Sequence, residues 1–165
     1  MNTIGIWEEG AALEDLLLES LSPEKKAGLL LRISSRPEPF LRGSLDVLAI
    51  APDAAIPREV ILPRCRLLLL PGSAAPLVRG DTATCAMSYG TSPKDSLTFS
   101  SLGGHQLSIS IQRELLTVDG QTIERQELQV QRLEGVDPLL QLACAGLLLL
   151  LATPPQHLHS RMARY

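Results

Sequence analysis

The chain has 165 residues, of which 45% are apolar and 20% charged, with a formal charge of −3 at pH 7. That is the composition of one ordinary folded domain, and it excludes a disordered chain. With aromatic residues at 3% and no basic face, it also speaks against a dedicated nucleic-acid binder.

Thr3-Ile4-Gly5-Ile6-Trp7 reads as a first strand, followed by the acidic turn Glu8-Glu9-Gly10. A helix follows, with Leu13, Leu16, Leu17 and Leu21 on one stripe and Glu14, Asp15 and Glu19 away from it. Ser22-Pro23 marks its end, and residues 27–33 read as a second buried strand. Residues 34–44, with Pro37, Pro39 and Gly43, form a loop. A third strand covers 45–51 and stops at Pro52-Asp53; residues 57–63 fit no pattern. Residues 66–70 make a fourth strand, and Pro71-Gly72-Ser73 a turn in which Ser73 is placed to cap a short helix over 74–79. Residues 84–89 make a fifth strand.

Continuous apolar strands alternating with loops or helices imply a mainly parallel sheet covered on both faces. After residue 95 the pattern changes. Residues 97–100 and 107–111 alternate polar with apolar around Gly103-Gly104, the signal of a hairpin with one wet face. Val118-Asp119-Gly120-Gln121 predicts another turn, with strands on either side as far as Val130. Asp137-Pro138 starts an apolar helix as N-cap and first helical residue, and Pro154-Pro155 ends it. The expected fold is a three-layer, Rossmann-like α/β domain over residues 1–153. Its mostly parallel sheet is extended by an antiparallel hairpin, with the C-terminal apolar helix packed on it and residues 154–165 as a loose tail.

Residues 139–152 are broken only by Gln141 and Gly146. At about 1.5 Å per residue this helix reaches roughly 20 Å, short of the ~30 Å bilayer core, so no membrane span is expected. Residues 147–151 are apolar on every side of a helix, more than one sheet face is expected to cover. The helix from Leu139 to Leu151 is therefore the expected surface for a homo-oligomer or a protein partner. The N-terminus turns acidic at Glu8-Glu9 and is no signal peptide, and Cys65, Cys85 and Cys144 form no Cys-x-x-Cys pair. Both features suit a reducing cytoplasm, with the cysteines as small buried hydrophobes.

In order, these segments resemble a reduced central, ATP-binding domain of the Mur ligase family, to which the folylpolyglutamate synthases are related. Ile4-Gly5-Ile6 resembles the strand leading into that family's phosphate loop, and Lys26-Ala27-Gly28-Leu29 the start of its next strand. Asp46-Val47-Leu48-Ala49-Ile50 is similar to the strand before its metal site. Leu69 with Pro76-Leu77-Val78 is similar to a later strand and turn, and Met87-Ser88-Tyr89-Gly90 to the end of its last parallel strand. The match in order runs over residues 3–152.

The departures lie at the chemistry. A phosphate loop needs glycines, a lysine and a Ser or Thr for magnesium. This chain has Trp7-Glu8-Glu9-Gly10-Ala11-Ala12 there, without lysine or hydroxyl and with two carboxylates. The family's carbamylated lysine, magnesium-binding glutamate and histidine have no counterparts. The resemblance thus implies a degenerate relative, a pseudoenzyme that neither binds ATP in the family's way nor ligates anything, with no cofactor.

The remaining polar groups assemble no catalytic set. His157 and His159 form a His-x-His pair without a third ligand, and His105 reads as a solvated turn residue. Arg32, Arg36 and Arg42 read as an exposed loop. Glu124, Glu127 and Glu134 with Arg125 and Arg132 read as a solvated strand face with cross-strand ion pairs. Two functions remain: a non-catalytic Mur-ligase-like module that associates with itself or a protein, or a small-molecule-binding domain. The pocket of the second lies at the carboxyl ends of the parallel strands, near Glu8, Glu9, Gly10, Pro52, Gly72 and Ser73.

Overall fold

The computed structural model describes residues 1–78 and 83–162. Its strands are β1 (Asn2–Trp7), β2 (Leu29–Ser34), β3 (Leu45–Ile50), β4 (Cys65–Pro71), β5 (Ala83–Tyr89), β6 (Leu97–Leu102), β7 (Gln106–Ile111), β8 (Leu115–Leu116), β9 (Thr122–Ile123) and β10 (Gln126–Gln131). The helices are α1 (Ala12–Ser20), α2 (Pro23–Ala27), α3 (Pro138–Leu150) and α4 (Pro155–Met162). Eight strands form one sheet in the order β10-β7-β6-β5-β4-β3-β1-β2, while β8 and β9 pair as a separate small hairpin. Every pairing from β2 across to β6 is parallel, and β7 and β10 extend the sheet antiparallel. The fold class is the mostly parallel α/β sheet with a hairpin extension that the sequence pattern implies.

Alternate residues explain the unbroken apolar runs. On β4, Leu67 and Leu69 join one buried cluster, and Leu68 and Leu70 the other. Both faces of the parallel strands are covered, so neither set can be polar.

The order 2-1-3-4-5 also dictates what lies on each face. Right-handed crossovers that run in opposite directions from β1 must fall on opposite sides of the sheet. The β1–β2 connection carries α1, whose Leu13, Leu16 and Leu17 pack into the larger cluster. The connections into β3, β4 and β5 put Phe40, Leu62 and Ala74 into the smaller one. That side is covered by a 3-10 turn at Glu38–Phe40, another at Gly72–Leu77 and the irregular residues 51–64. None of α1, α3 or α4 contributes there, so the third layer is built of turns and loops.

α1 alone cannot cover the first face, and α3 fills the rest. It packs on β3, β4, β5 and β6, flanked by α1 and α4. Residues 141–150 are all buried within this one chain, and Leu151 with them. The expectation that 147–151 exceeds what the chain can cover is therefore corrected. A helix that is apolar all round is one enclosed on every side, and sheet, α1, α4 and the β8–β9 hairpin enclose this one. Its C-terminal carbonyls are met by Lys25 Nζ on Leu151 O and Val118 N on Leu150 O.

The two interruptions of α3 have separate causes. A Cβ on Gly146 would come 2.9 Å from Leu97 Cδ1 and 3.2 Å from both Leu69 Cδ1 and Met87 Cε, so glycine lets the helix approach the sheet. Gln141, fully buried, accepts from Leu133 N at 3.1 Å and donates to Gln131 O at 2.6 Å. It continues the hydrogen bonding of the chain just where β10 ends.

Several local expectations change. Ser22 starts α2, accepting from Lys25 N at 3.4 Å with Pro23 at the first helical position, so β2 begins only at Leu29. Ser73 caps no helix: the segment after β4 is a 3-10 turn whose N-cap is Pro71, and Pro76 inside it has no N–H to continue one. Arg79, the expected end of that helix, lies outside the described residues. α3 ends at Leu150, ahead of Pro154-Pro155, where Ala152 turns to a φ of 64° and Thr153 N donates to Leu148 O; Pro155 instead opens α4, whose Leu158 and Met162 are buried against the core. The tail expected over 154–165 is thus a docked helix as far as Met162, and 163–165 lie outside the described residues. Glu127 on β10 stands opposite Ser110, not a basic residue, so the expected cross-strand ion pair does not form there.

Candidate functional site

Parallel strands direct their carboxyl ends to one edge of the sheet, and a change of direction in the strand order opens a crevice there. In this chain the change falls between β1 and β3, beside Glu8-Glu9-Gly10 and Pro52-Asp53. The crevice is filled by the chain's own carboxylates. Asp53 accepts from Glu9 N (Oδ1, 3.4 Å) and Gly10 N (Oδ2, 3.2 Å). Glu8 is buried and accepts from Leu13 N (Oε2, 2.9 Å) and Glu14 N (Oε1, 3.1 Å), at the start of α1. Burial pushes the Glu8 carboxyl above its usual range; the two backbone donors pull it down, and the charges of Asp53 and Glu14 add to the rise.

These N–H groups are the donors that a phosphate loop turns toward a phosphate. With two of the chain's own carboxyl groups on them, the turn does not fit a nucleotide's phosphates.

An open cleft of about 780 Å³ lies further along the same edge, at the ends of β4 and β5. Pro52, Pro71, Pro76 and Leu139 line it, and Ser73, Ser88, Thr91, Ser92, Lys94 and Asp95 supply polar groups. Of the six residues expected at a strand-end site, Pro52, Gly72 and Ser73 line this cleft, whereas Glu8, Glu9 and Gly10 do not. Pro52 faces the cleft while Asp53 turns back to the β1–α1 loop.

No protein-family model matches this chain, and neither does any curated protein. The cleft at the ends of β4 and β5 is the candidate site.

Its far wall, residues 90–96, is held firmly. Gln112 Nε2 donates to Pro93 O at 2.8 Å and to Asp95 O at 2.9 Å, and Arg113 donates to Lys94 O at 3.1 Å. Ser88 and Ser96 each give a backbone N–H to the other's hydroxyl, at 3.4 and 3.2 Å. Tyr89 donates its hydroxyl to Ile50 O at 2.6 Å, and burial, with the Asp53 charge, holds it far above the ordinary tyrosine range.

Asp95 is the residue that sequence reasoning passed over. It is 5% exposed, and Oδ2 accepts from Ser92 N at 3.1 Å. The carboxylate sits over two glycines, and a Cβ at either Gly72 or Gly90 would overlap it. The signal in the sequence was the pair of glycines, one ending each strand. Nothing local tied them to an aspartate several residues further on.

The other candidates stay apart. His157 and His159, two residues apart on α4, cannot face one point on a helix. His105 is exposed in the β6–β7 turn. Arg32 donates to the Arg42 carbonyl and ties down the loop. Among the described residues no three His, Cys, Asp or Glu side chains gather as a metal site. Burial raises the Cys65 thiol to about 11 and the Cys144 thiol to about 12, which keeps both protonated.

Proposed function

We propose that this chain is a small-molecule-binding α/β domain whose site is the cleft at the carboxyl ends of β4 and β5, and that it binds without covalent catalysis. The observation that carries the reading is Asp95, a nearly buried carboxylate seated over Gly72 and Gly90 in the cleft wall. The cleft's size is within the ~300–1,000 Å³ of small-molecule sites, and it mixes apolar walls with a few polar groups, as such sites do.

The test is amide NMR of the whole chain with a panel of small fragments. Ligands of the cleft shift the signals of Gly72, Ser73 and Gly90 to Asp95 together; scattered shifts, or shifts confined to the β1–α1 turn, refute the reading. Magnesium-ATP serves as the control. A ligand at 100 times its dissociation constant adds about 2.7 kcal/mol of stability, and ATP should add none.

A second reading is a non-catalytic module related to the Mur ligase central domain. It is favoured by the order in which Tyr89-Gly90 ends β5 and is followed by the β6–β7 hairpin and then α3. Self-association, part of that reading, is checked by light scattering over a range of concentrations. A monomer throughout would remove it. The apolar side chains of 147–151 are spent inside the chain and are no part of such a contact.

A further inference from the structure

Asp95 is 5% exposed, and no buried side-chain oxygen among the described residues lacks a hydrogen-bond partner, so its unpartnered oxygen is the one that opens to the cleft. Ser92 N is the one hydrogen-bond donor to its carboxylate among the described residues, and it reaches Oδ2. Oδ1 has no donor there and lies against Gly72 in the cleft wall. Lys94, although adjacent and on the same cleft, makes no ion pair with it and is exposed. Gly72 and Gly90 keep the space around the carboxylate clear, since a side chain on either would displace it. Pro52, Pro71, Pro76 and Leu139 give the same cleft its apolar walls, and Asp95 is its one carboxylate.

We propose that the cleft binds a small molecule carrying an ammonium group on an apolar body, with Asp95 Oδ1 as the anchor for the ammonium. This rests on the cleft being the binding site and adds the chemical class of its ligand. A cationic N–H donor serves better than a hydroxyl because a charge-assisted hydrogen bond is roughly twice as strong as a neutral one. The prolines with Leu139 offer contact to the ligand's body.

The experiment uses three probes of one shape on the whole chain: phenethylamine, 2-phenylethanol and 3-phenylpropionate, titrated by NMR. The amine is expected to bind at least tenfold tighter than the alcohol, the carboxylate weakest of all, and added salt should weaken the amine alone. Asp95→Asn keeps the shape and can still accept from Ser92 N. It should cost the amine at least tenfold and leave the alcohol unchanged. Leu139→Trp, which narrows the cleft without touching Asp95, should abolish both and keeps the test available if the first variant does not fold. Equal binding of amine and alcohol, or an amine indifferent to Asp95→Asn, overturns the ammonium while the cleft stands. If no probe shifts the cleft residues at millimolar concentration, the ammonium inference falls, and the fragment panel above then decides the fate of the cleft.

Discussion

Replacing Gln141 by leucine should destabilise this protein, although it makes an apolar helix more apolar. The side chain is fully buried and bridges Leu133 N and Gln131 O. Leucine removes both bonds and leaves the buried Leu133 N–H without a partner. An orphaned buried donor costs about 1–3 kcal/mol, and losing the bond to the less buried carbonyl about 1 more. Added apolar burial offsets only part, because the methyl groups would sit against two backbone polar atoms. The expected loss is about 2–4 kcal/mol, and roughly 5–15 °C of unfolding temperature for a chain this long. Chemical denaturation of both proteins measures it, and amide exchange at Leu133 should accelerate beyond the global change. A leucine variant within about 0.5 kcal/mol of the parent would refute the argument, since a surface-like tolerance is incompatible with an orphaned buried donor.

Other outcomes follow from groups already described. Because folding raises the Glu8 carboxyl above its ordinary value of 4.5, this group contributes stability below that value and loses it as pH rises through the folded one. Unfolding free energy measured upward from pH 4.5 should therefore fall more steeply in the parent than in Glu8→Gln; parallel slopes would contradict it. Gly72→Ala forces a methyl group onto the Asp95 carboxylate and should cost about 1–3 kcal/mol, as overpacking does. Pairing it with Asp95→Ala should recover part of that loss, and strict additivity of the two would mean that they do not touch. A thiol reagent at pH 8 should label Cys85, which is partly exposed, well before Cys65 or Cys144 in the native chain. Equal rates at all three would show that burial does not protect the two thiols.

Much of the architecture was written in local pattern. The stripe of Leu13, Leu16 and Leu17 and the alternation through Leu107, Ile109 and Ile111 each point one face inward, and each does so in the fold. Asp137 caps α3 as its position before Pro138 suggests, accepting from Leu139 N at 2.9 Å. What escaped was what depends on distant partners. Ser22-Pro23 has the same composition whether it ends one helix or starts another. Only the register Asn2↔Leu29 shows that α2 must turn the chain before β2 can begin. The all-apolar run after Gly146 looked like excess surface because its cover comes from α1, α4 and a hairpin, none of which is visible in the run itself. Of the six residues expected at the strand ends, only three line the proposed cleft, for a similar reason. The rule for strand ends located Pro52, Gly72 and Ser73, but it could not show that Asp53 would reach back to Glu9 and Gly10 and shut the crevice beside them.

The place of α3 in the chain governs the order of assembly. All strands of the sheet precede it, yet it supplies the middle of the larger core, between α1 and α4. During synthesis, Leu67, Leu69, Ile109 and their neighbours have nothing to close over them until residues 138–151 emerge. A chain made from the N-terminus thus carries an open apolar sheet face until α3 has been made, the condition in which partly folded chains aggregate. Its folding is expected to be one late, cooperative closure by α3, and not a stepwise growth from β1.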